Sequence, residues 1–188
     1  VLFKKFADLD CFDIELDSRD PETIINVTAA IAGTFGGINL EDIKSPECFY
    51  IEKKLQSMLD IPVFHDDQHG TAIILGAAVI NALEIANKKI NEVKIVFSGA
   101  GAAAIASANH LVKLGVPVNH IWFCDLHGLV YKGRKEEMFP EKEGFAQGFE
   151  PKTLAETLVG ADIFIGLSVG NIVTVDMLAG MREKPIIF

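Results

Sequence analysis

The chain has 188 residues, 49% of them hydrophobic and 23% charged, a length that can bury a core and a mixture that excludes disorder and a coiled coil. Its net charge of −9, with 17 Lys and Arg against 26 Asp and Glu and no basic stripe, excludes a nucleic-acid binder, because neutralising phosphates and releasing their counterions needs a concentrated basic surface. The three cysteines, Cys11, Cys48 and Cys124, are odd in number, far apart and set in apolar runs, so they read as buried free thiols in a reducing compartment, and the protein as cytoplasmic.

No stretch reads as long enough to cross a membrane, and VLFKKFADLD has neither the apolar centre nor the cleavage site of a signal peptide. Val1 opens onto a structured-looking segment and Phe188 falls inside the apolar run PIIF, so the sequence reads as a piece of a longer protein. CFDIEL is the first expected strand. Asp20-Pro21 then supplies a helix cap and a first-turn proline, for a helix running to about Phe35. After Gly36-Gly37 the segment GINLED reads as a short strand. Ser45-Pro46 repeats the cap-and-proline start for a helix with Cys48, Ile51, Leu55 and Met58 on one face. IPVF is the next strand, and beyond HDDQHG the run TAIILGAAVINALEIA has the length and composition of a buried helix.

A boundary near Lys88 divides the chain into residues 1–88 and 89–188. The second part reads as strand VKIVFS, helix AAAIASANHLVKL, strand IWFCD, helix TLAETLV, strand DIFIGL and a further βα pair, with GRKEEMFPEKEGFAQGFEP as a solvated surface loop. Strands alternating with helices make the fold class α/β, built from parallel βα units.

Two acidic pairs stand out. Glu41-Asp42 closes one expected strand and Asp66-Asp67 closes the next, so parallel pairing brings four carboxylates to one sheet edge, where open α/β sheets bind ligands. Such a cluster calls for a cation or basic partners; hard oxygen donors suit Mg²⁺ or Mn²⁺. The alternative is a chance grouping of surface acids. A zinc site on His65 and His69, four residues apart, is a rival, but Gly70 and a strand ending near Phe64 argue against a helix carrying both rings, and the alternative is local hydrogen bonding.

The segment SGAGAAAIA follows a strand and opens a helix, placing Gly99, Gly101 and Ala104 in the small positions of a G-x-G-x-x-G/A fingerprint. Ala100, Ala102 and Ala103 would then offer backbone amides to a pyrophosphate. Asp125, ending the following strand, stands at the distance of an acid that binds ribose hydroxyls. Gly166, Ser168 and Gly170 follow the third strand, where a ligand could pass. The expected architecture is a metal-binding α/β segment followed by a Rossmann-like dinucleotide-binding domain.

GGINLEDI, PVFHDDQHGTA and FSGAGAAAIA together resemble the malic enzyme family in its bacterial form, over essentially the whole chain. The resemblance implies oxidative decarboxylation of malate to pyruvate and CO₂ with NAD or NADP and Mg²⁺ or Mn²⁺. It implies Glu41, Asp42 and Asp67 as metal ligands and Asp66 as hydrogen-bond partner of a catalytic lysine. It also places the pyrophosphate on Ala100 to Ala103, Asp125 on the adenosine ribose, and the protein in a homodimer. The family's lysine and tyrosine precede VLFKKF and its substrate-binding asparagines follow Phe188. Between the cofactors, Asp125 favours NAD by repelling a 2′-phosphate, unless Lys132, Arg134 or Lys135 folds back toward it. The other readings of the chain are a non-catalytic nucleotide- or metal-binding module and an interaction fragment that keeps only the fold.

Overall fold

A computed structural model describes residues 2–188. Helix α1 (Leu2–Ala7) is exposed along its length, and residues 11–16, expected as a strand, form no regular structure. CFDIEL alternates suitably, yet its side chains are exposed and no strand among the described residues pairs with it; alternation without a partner or a buried face does not hold a strand. Cys11 is accordingly exposed, whereas Cys48 and Cys124 are buried as expected.

Asp20 caps α2 (Pro21–Ile31) by accepting the Thr23 amide hydrogen bond at 2.8 Å. Strand β1 (Ile38–Leu40), helix α3 (Glu47–Met58) and strand β2 (Val63–His65) follow. The two strands pair in parallel with Leu40 opposite His65. Ile25, Ile51 and Leu55 fill the small core between these elements; Met58, expected on the buried face of α3, is exposed in the last turn. Ser45 does not cap α3: the Ser45-Pro46 peptide is cis, Pro46 occupies the cap position, and no side chain closes the helix start.

Helix α4 (Asp66–Ala86) starts directly after β2, with His65 as its cap. Asp66 and Asp67 therefore open a helix rather than close a strand. At 21 residues, α4 is long and apolar enough to meet the requirement for a membrane span by length and composition, contrary to the expectation from sequence. In this structure one side of it carries Leu75, Val79 and Leu83 into the main core, and Gly76 lets the helix approach His110 on α5 so closely that a Cβ would lie 2.6 Å from the imidazole ring. Its other side exposes Ile73, Ile74, Ile80 and Ile85.

The second half is a five-stranded sheet flanked by helices. It contains β3 (Ile95–Ser98), α5 (Ala102–Leu114), β4 (Ile121–Asp125), β5 (Gly128–Leu129), α6 (Pro140–Glu143), α7 (Leu154–Leu158), β6 (Ile163–Gly166), α8 (Val175–Ala179) and β7 (Ile186–Ile187). The strand order is β5-β4-β3-β6-β7, parallel except for β5. Buried on both faces, β3 reads IVFS without alternation, as a central parallel strand should. Phe97 and Phe123 pack with tilted rings, centroids 4.9 Å apart, and Phe145 meets Phe123 edge-on at 5.4 Å.

Phe145 belongs to the segment expected to be a solvated loop. Arg134, Lys142 and Phe145 from it are buried, and Met138 and Phe139 pack on the core. Two of its charges, on Arg134 and Lys142, go to a buried partner, while Lys135, Glu136, Glu137, Glu141 and Glu143 stay exposed as expected.

Candidate functional site

The pairing of β1 with β2 brings the two acidic segments together. Asp42 adopts φ 58 in the turn after β1, and in that turn its backbone amide donates to Asp67 Oδ2 at 3.0 Å. Glu41 accepts from Asn39 Nδ2 at 2.7 Å. Asp66, exposed in the first turn of α4, lies over Gly70, where a Cβ would stand 2.5 Å from its Oδ1; Gly70 is needed for this side-chain position.

Among the described residues no three histidine, cysteine or acidic side chains stand close enough together to hold an ion. The donor chemistry nonetheless fits a hard divalent cation. Glu41 and Asp42 are exposed, and Asp67 is half exposed, its nearest basic group being His65 Nε2 at 3.9 Å. Exposed carboxylate oxygens leave room for water and substrate oxygens in an Mg²⁺ or Mn²⁺ shell.

The two histidines do not form a zinc pair. His65 is fully buried; its Nδ1 accepts the Gln68 amide hydrogen bond at 3.3 Å and its Nε2 lies 3.2 Å from Ile43 O. His69 faces the other way, with Nε2 2.7 Å from Glu52 Oε1. Gln68 Nε2 donates to the second oxygen of the buried Glu52 at 3.1 Å. Local hydrogen bonding accounts for both rings.

The glycine loop has the geometry its pattern predicts. Gly99 has φ +104, and a Cβ there would lie 2.5 Å from Leu167 O, so both conformation and space require glycine. Gly101 precedes α5, and the first intrahelical bond runs from Ile105 N to Gly101 O at 3.0 Å. The amides of Ala102 and Ala103 lie in the first turn, where N–H groups have no intrahelical acceptor and present positive potential. Ala100 and Ala104 are buried. On the far side Ser168 is exposed, and its hydroxyl hydrogen-bonds with that of Ser98 at 3.0 Å. Gly166 and Gly170 are also exposed; with Ser168 they line a cavity of about 360 Å³ after β6.

Asp125 is already engaged by protein groups. Its Oδ1 accepts from the His127 amide at 2.9 Å and Arg134 Nη1 at 2.8 Å. Its Oδ2 accepts from Arg134 Nη2 and, at 3.0 Å, from Lys142 Nζ. A carboxylate has about four acceptor lone pairs, and these four hydrogen bonds match that number. Burial alone would push this carboxyl up, but the Arg134, His127 and Lys142 hydrogen bonds outweigh it and hold Asp125 below the ordinary carboxylate range. Of the bases weighed from sequence, Arg134 folds back, though onto Asp125; Lys132 sits 5.4 Å over the Phe149 ring, and Lys135 is exposed. Lys142, seventeen residues after Asp125, had no local signal.

The acidic and glycine loops adjoin. A Cβ on Gly101 would lie 3.7 Å from Ser45 Oγ, so the turn from Glu41 to Ser45 is seated against the start of α5.

Known protein families match both parts of the chain. Residues 1–56 match the family described as "Malic enzyme, N-terminal domain" and residues 68–188 match "Malic enzyme, NAD binding domain". The chain is 55% identical over its whole length to a "Probable NADP-dependent malic enzyme" of Rickettsia prowazekii, and 54% identical to an "NAD-dependent malic enzyme" of Rhizobium meliloti. In each case it spans 24% of the relative. The crystal structure of the NAD-dependent malic enzyme from Thermotoga maritima superposes with a TM-score of 0.92 at 41% identity, covering 99% of this chain and 50% of that one. With the nucleotide-domain match alone covering more than half of its residues, the chain belongs to the malic enzyme family.

Proposed function

We propose that the complete protein containing this chain oxidatively decarboxylates malate to pyruvate and CO₂ while reducing NAD or NADP. The observation that carries this reading is the approach of the acidic turn, through Ser45, to the glycine loop, where a Cβ added to Gly101 would lie 3.7 Å from Ser45 Oγ: hydride transfer needs substrate and nicotinamide adjacent, and here the two binding elements are neighbours. The chain spans about a quarter of its curated relatives, so the activity is that of the complete protein.

Glu41, Asp42 and Asp67 would hold Mg²⁺ or Mn²⁺, which when bound supplies Lewis-acid polarisation of a substrate oxygen. The amides of Ala102 and Ala103, with Gly99, Ala100 and Gly101 giving backbone access, would hold the pyrophosphate. Ser168 borders the cavity after β6, on the side from which the cofactor's far end would be met. Asp66, exposed and bent over Gly70, is placed to accept a hydrogen bond from an amine, which suits it to orienting the lysine implied by the family resemblance. Asp125, held by Arg134 and Lys142, positions the segment after β4, the place the family resemblance gives to the adenosine ribose. The unpaired thiols of Cys48 and Cys124 support a reducing, cytoplasmic setting, and the exposed isoleucines of α4 leave room for subunit or domain contacts in a homo-oligomer.

The test is to supply the full-length protein with malate, Mn²⁺ and either cofactor. Pyruvate and the reduced cofactor should form together; the absence of both with every metal and cofactor would overturn the reading.

A further inference from the structure

The geometry points to His65 as the positioning residue of the acidic site, one imidazole that fixes the turn after β1 against the first turn of α4. It takes this role only if Glu41, Asp42 and Asp67 hold the divalent ion, as proposed above.

His65 is the last residue of β2, and its register partner is Leu40, immediately before Glu41. Fully buried, it can leave neither ring nitrogen unpaired without a desolvation cost. Nδ1 accepts from the Gln68 amide, which puts the proton of the neutral ring on Nε2. Nε2 can then donate to Ile43 O at 3.2 Å. One ring thus caps the helix that carries Asp66 and Asp67 and also tethers the carbonyl next to Asp42. The Asp42 amide hydrogen bond to Asp67 at 3.0 Å spans the same gap. Gln68 continues inward to Glu52 at 3.1 Å, so the capped turn is anchored from below as well.

The acidic residues are too far apart in sequence for local structure to set their separation: Asp42 and Asp67 differ by 25 positions. A parallel pair of three-residue strands leaves the turns beyond it free to splay. Outer residues that orient metal ligands through hydrogen bonds typically change metal affinity by about 10- to 100-fold when replaced, and the bridging ring of His65 is placed to act in this way.

The two nitrogens can be tested separately in the full-length protein by titrating Mn²⁺ calorimetrically and recording thermal midpoints. His65→Asn keeps an acceptor for the Gln68 amide but is too short to reach Ile43 O. It should melt below the wild type, for the lost bond to Ile43 O, and bind Mn²⁺ about tenfold more weakly. His65→Gln reaches toward Ile43 but loses the cap, and should melt lower while keeping Mn²⁺ affinity closer to the wild type. If Mn²⁺ affinity in both variants merely tracks the melting temperature, His65 serves stability alone and the assignment fails. Asp67→Ala is the control: it should weaken Mn²⁺ more than either. If it binds Mn²⁺ as the wild type does, the metal reading fails and takes the role of His65 with it.

Discussion

Arg134 grips both carboxylate oxygens of Asp125 from nine residues downstream, with its side chain 1% exposed and that of Asp125 8% exposed. Without Arg134 the buried Asp125 keeps Lys142 at 3.0 Å as a partner, so its charge stays partly compensated and the loss falls below the ~3–5 kcal/mol of a fully broken buried pair. Arg134→Gln should therefore lower the unfolding free energy by about 1.5–3 kcal/mol, the size of a lost hydrogen bond to a charged group, read from the urea midpoint of the full-length protein. A loss within about 0.5 kcal/mol, the size of an ordinary surface change, would show that the pair contributes little.

The same pair bears on cofactor choice. Asp125 favours NAD only while its charge faces a 2′-phosphate uncompensated. Here Arg134 and Lys142 together outweigh that charge, so the ground for excluding NADP is gone. We expect kcat/KM with NADP at least comparable to that with NAD for the full-length protein, measured with malate and Mn²⁺. A preference for NAD of a hundredfold or more would show that another element rejects the phosphate.

Two buried carboxyls should make the fold acid-sensitive. Burial pushes Asp162 up, but the hydrogen bonds from the Lys88 ammonium and the Lys94 backbone amide and the charges of Lys88 and Arg182 outweigh it, leaving Asp162, like Asp125, below the ordinary range. In the unfolded chain each returns to about 3.9. The unfolded state then binds more protons in acid, so the stabilisation is full above that value and is lost as pH falls through the lower folded-state values. Urea midpoints should hold from pH 7 to about 5 and drop below about 4; Asp162→Asn should flatten that acid limb.

Gly99→Ala tests the nucleotide loop. A positive φ costs about 1–2 kcal/mol with a Cβ, and this Cβ would also lie 2.5 Å from the Leu167 carbonyl. Dinucleotide binding, followed by fluorescence titration, should be lost or fall at least tenfold. Gly36→Ala, with nothing within 4 Å of its Cβ, should bind as the wild type does.

Cys48 and Cys124 should resist thiol reagents in the native protein. Burial pushes the Cys48 thiol up to about 12 and the Cys124 thiol up to about 11, and the thiolate is the reactive form. Peptide mapping after brief alkylation at pH 8 should find both unmodified; rapid labelling of either would place it in an opening segment.

Where structure is set by near neighbours, the sequence was readable. Asp20-Pro21 caps its helix through a bond three residues away, and Gly99 to Ala104 form the strand-loop-helix start that their spacing announces. Readings failed where a distant partner decides. CFDIEL alternates like a strand but lacks a strand to pair with among the described residues. The run after Lys132 is charged like a surface loop, yet Arg134 and Lys142 go inside because Asp125 is there to receive them. Ser45-Pro46 resembles a helix start, but the serine is directed to Gly101. That the two acidic segments adjoin was legible from the order of strands; the imidazole that links their turns was not, since its contacts to Ile43 and Gln68 depend on the register of β1 with β2.

Helix α4 begins among the acidic residues but ends as part of the nucleotide-binding core, where Leu75, Val79 and Leu83 are buried with Ile95 and Phe97. Severing the chain at Lys88, where composition suggests a seam, would strip those three side chains from the half that keeps the sheet. Each is worth about 1.5–3 kcal/mol on burial, against a typical total of about 5–15 for a whole domain. Residues 89–188 expressed alone should accordingly be aggregation-prone and bind a hydrophobic dye, whereas a piece starting at Asp66 carries its own inner wall and should show a cooperative melt.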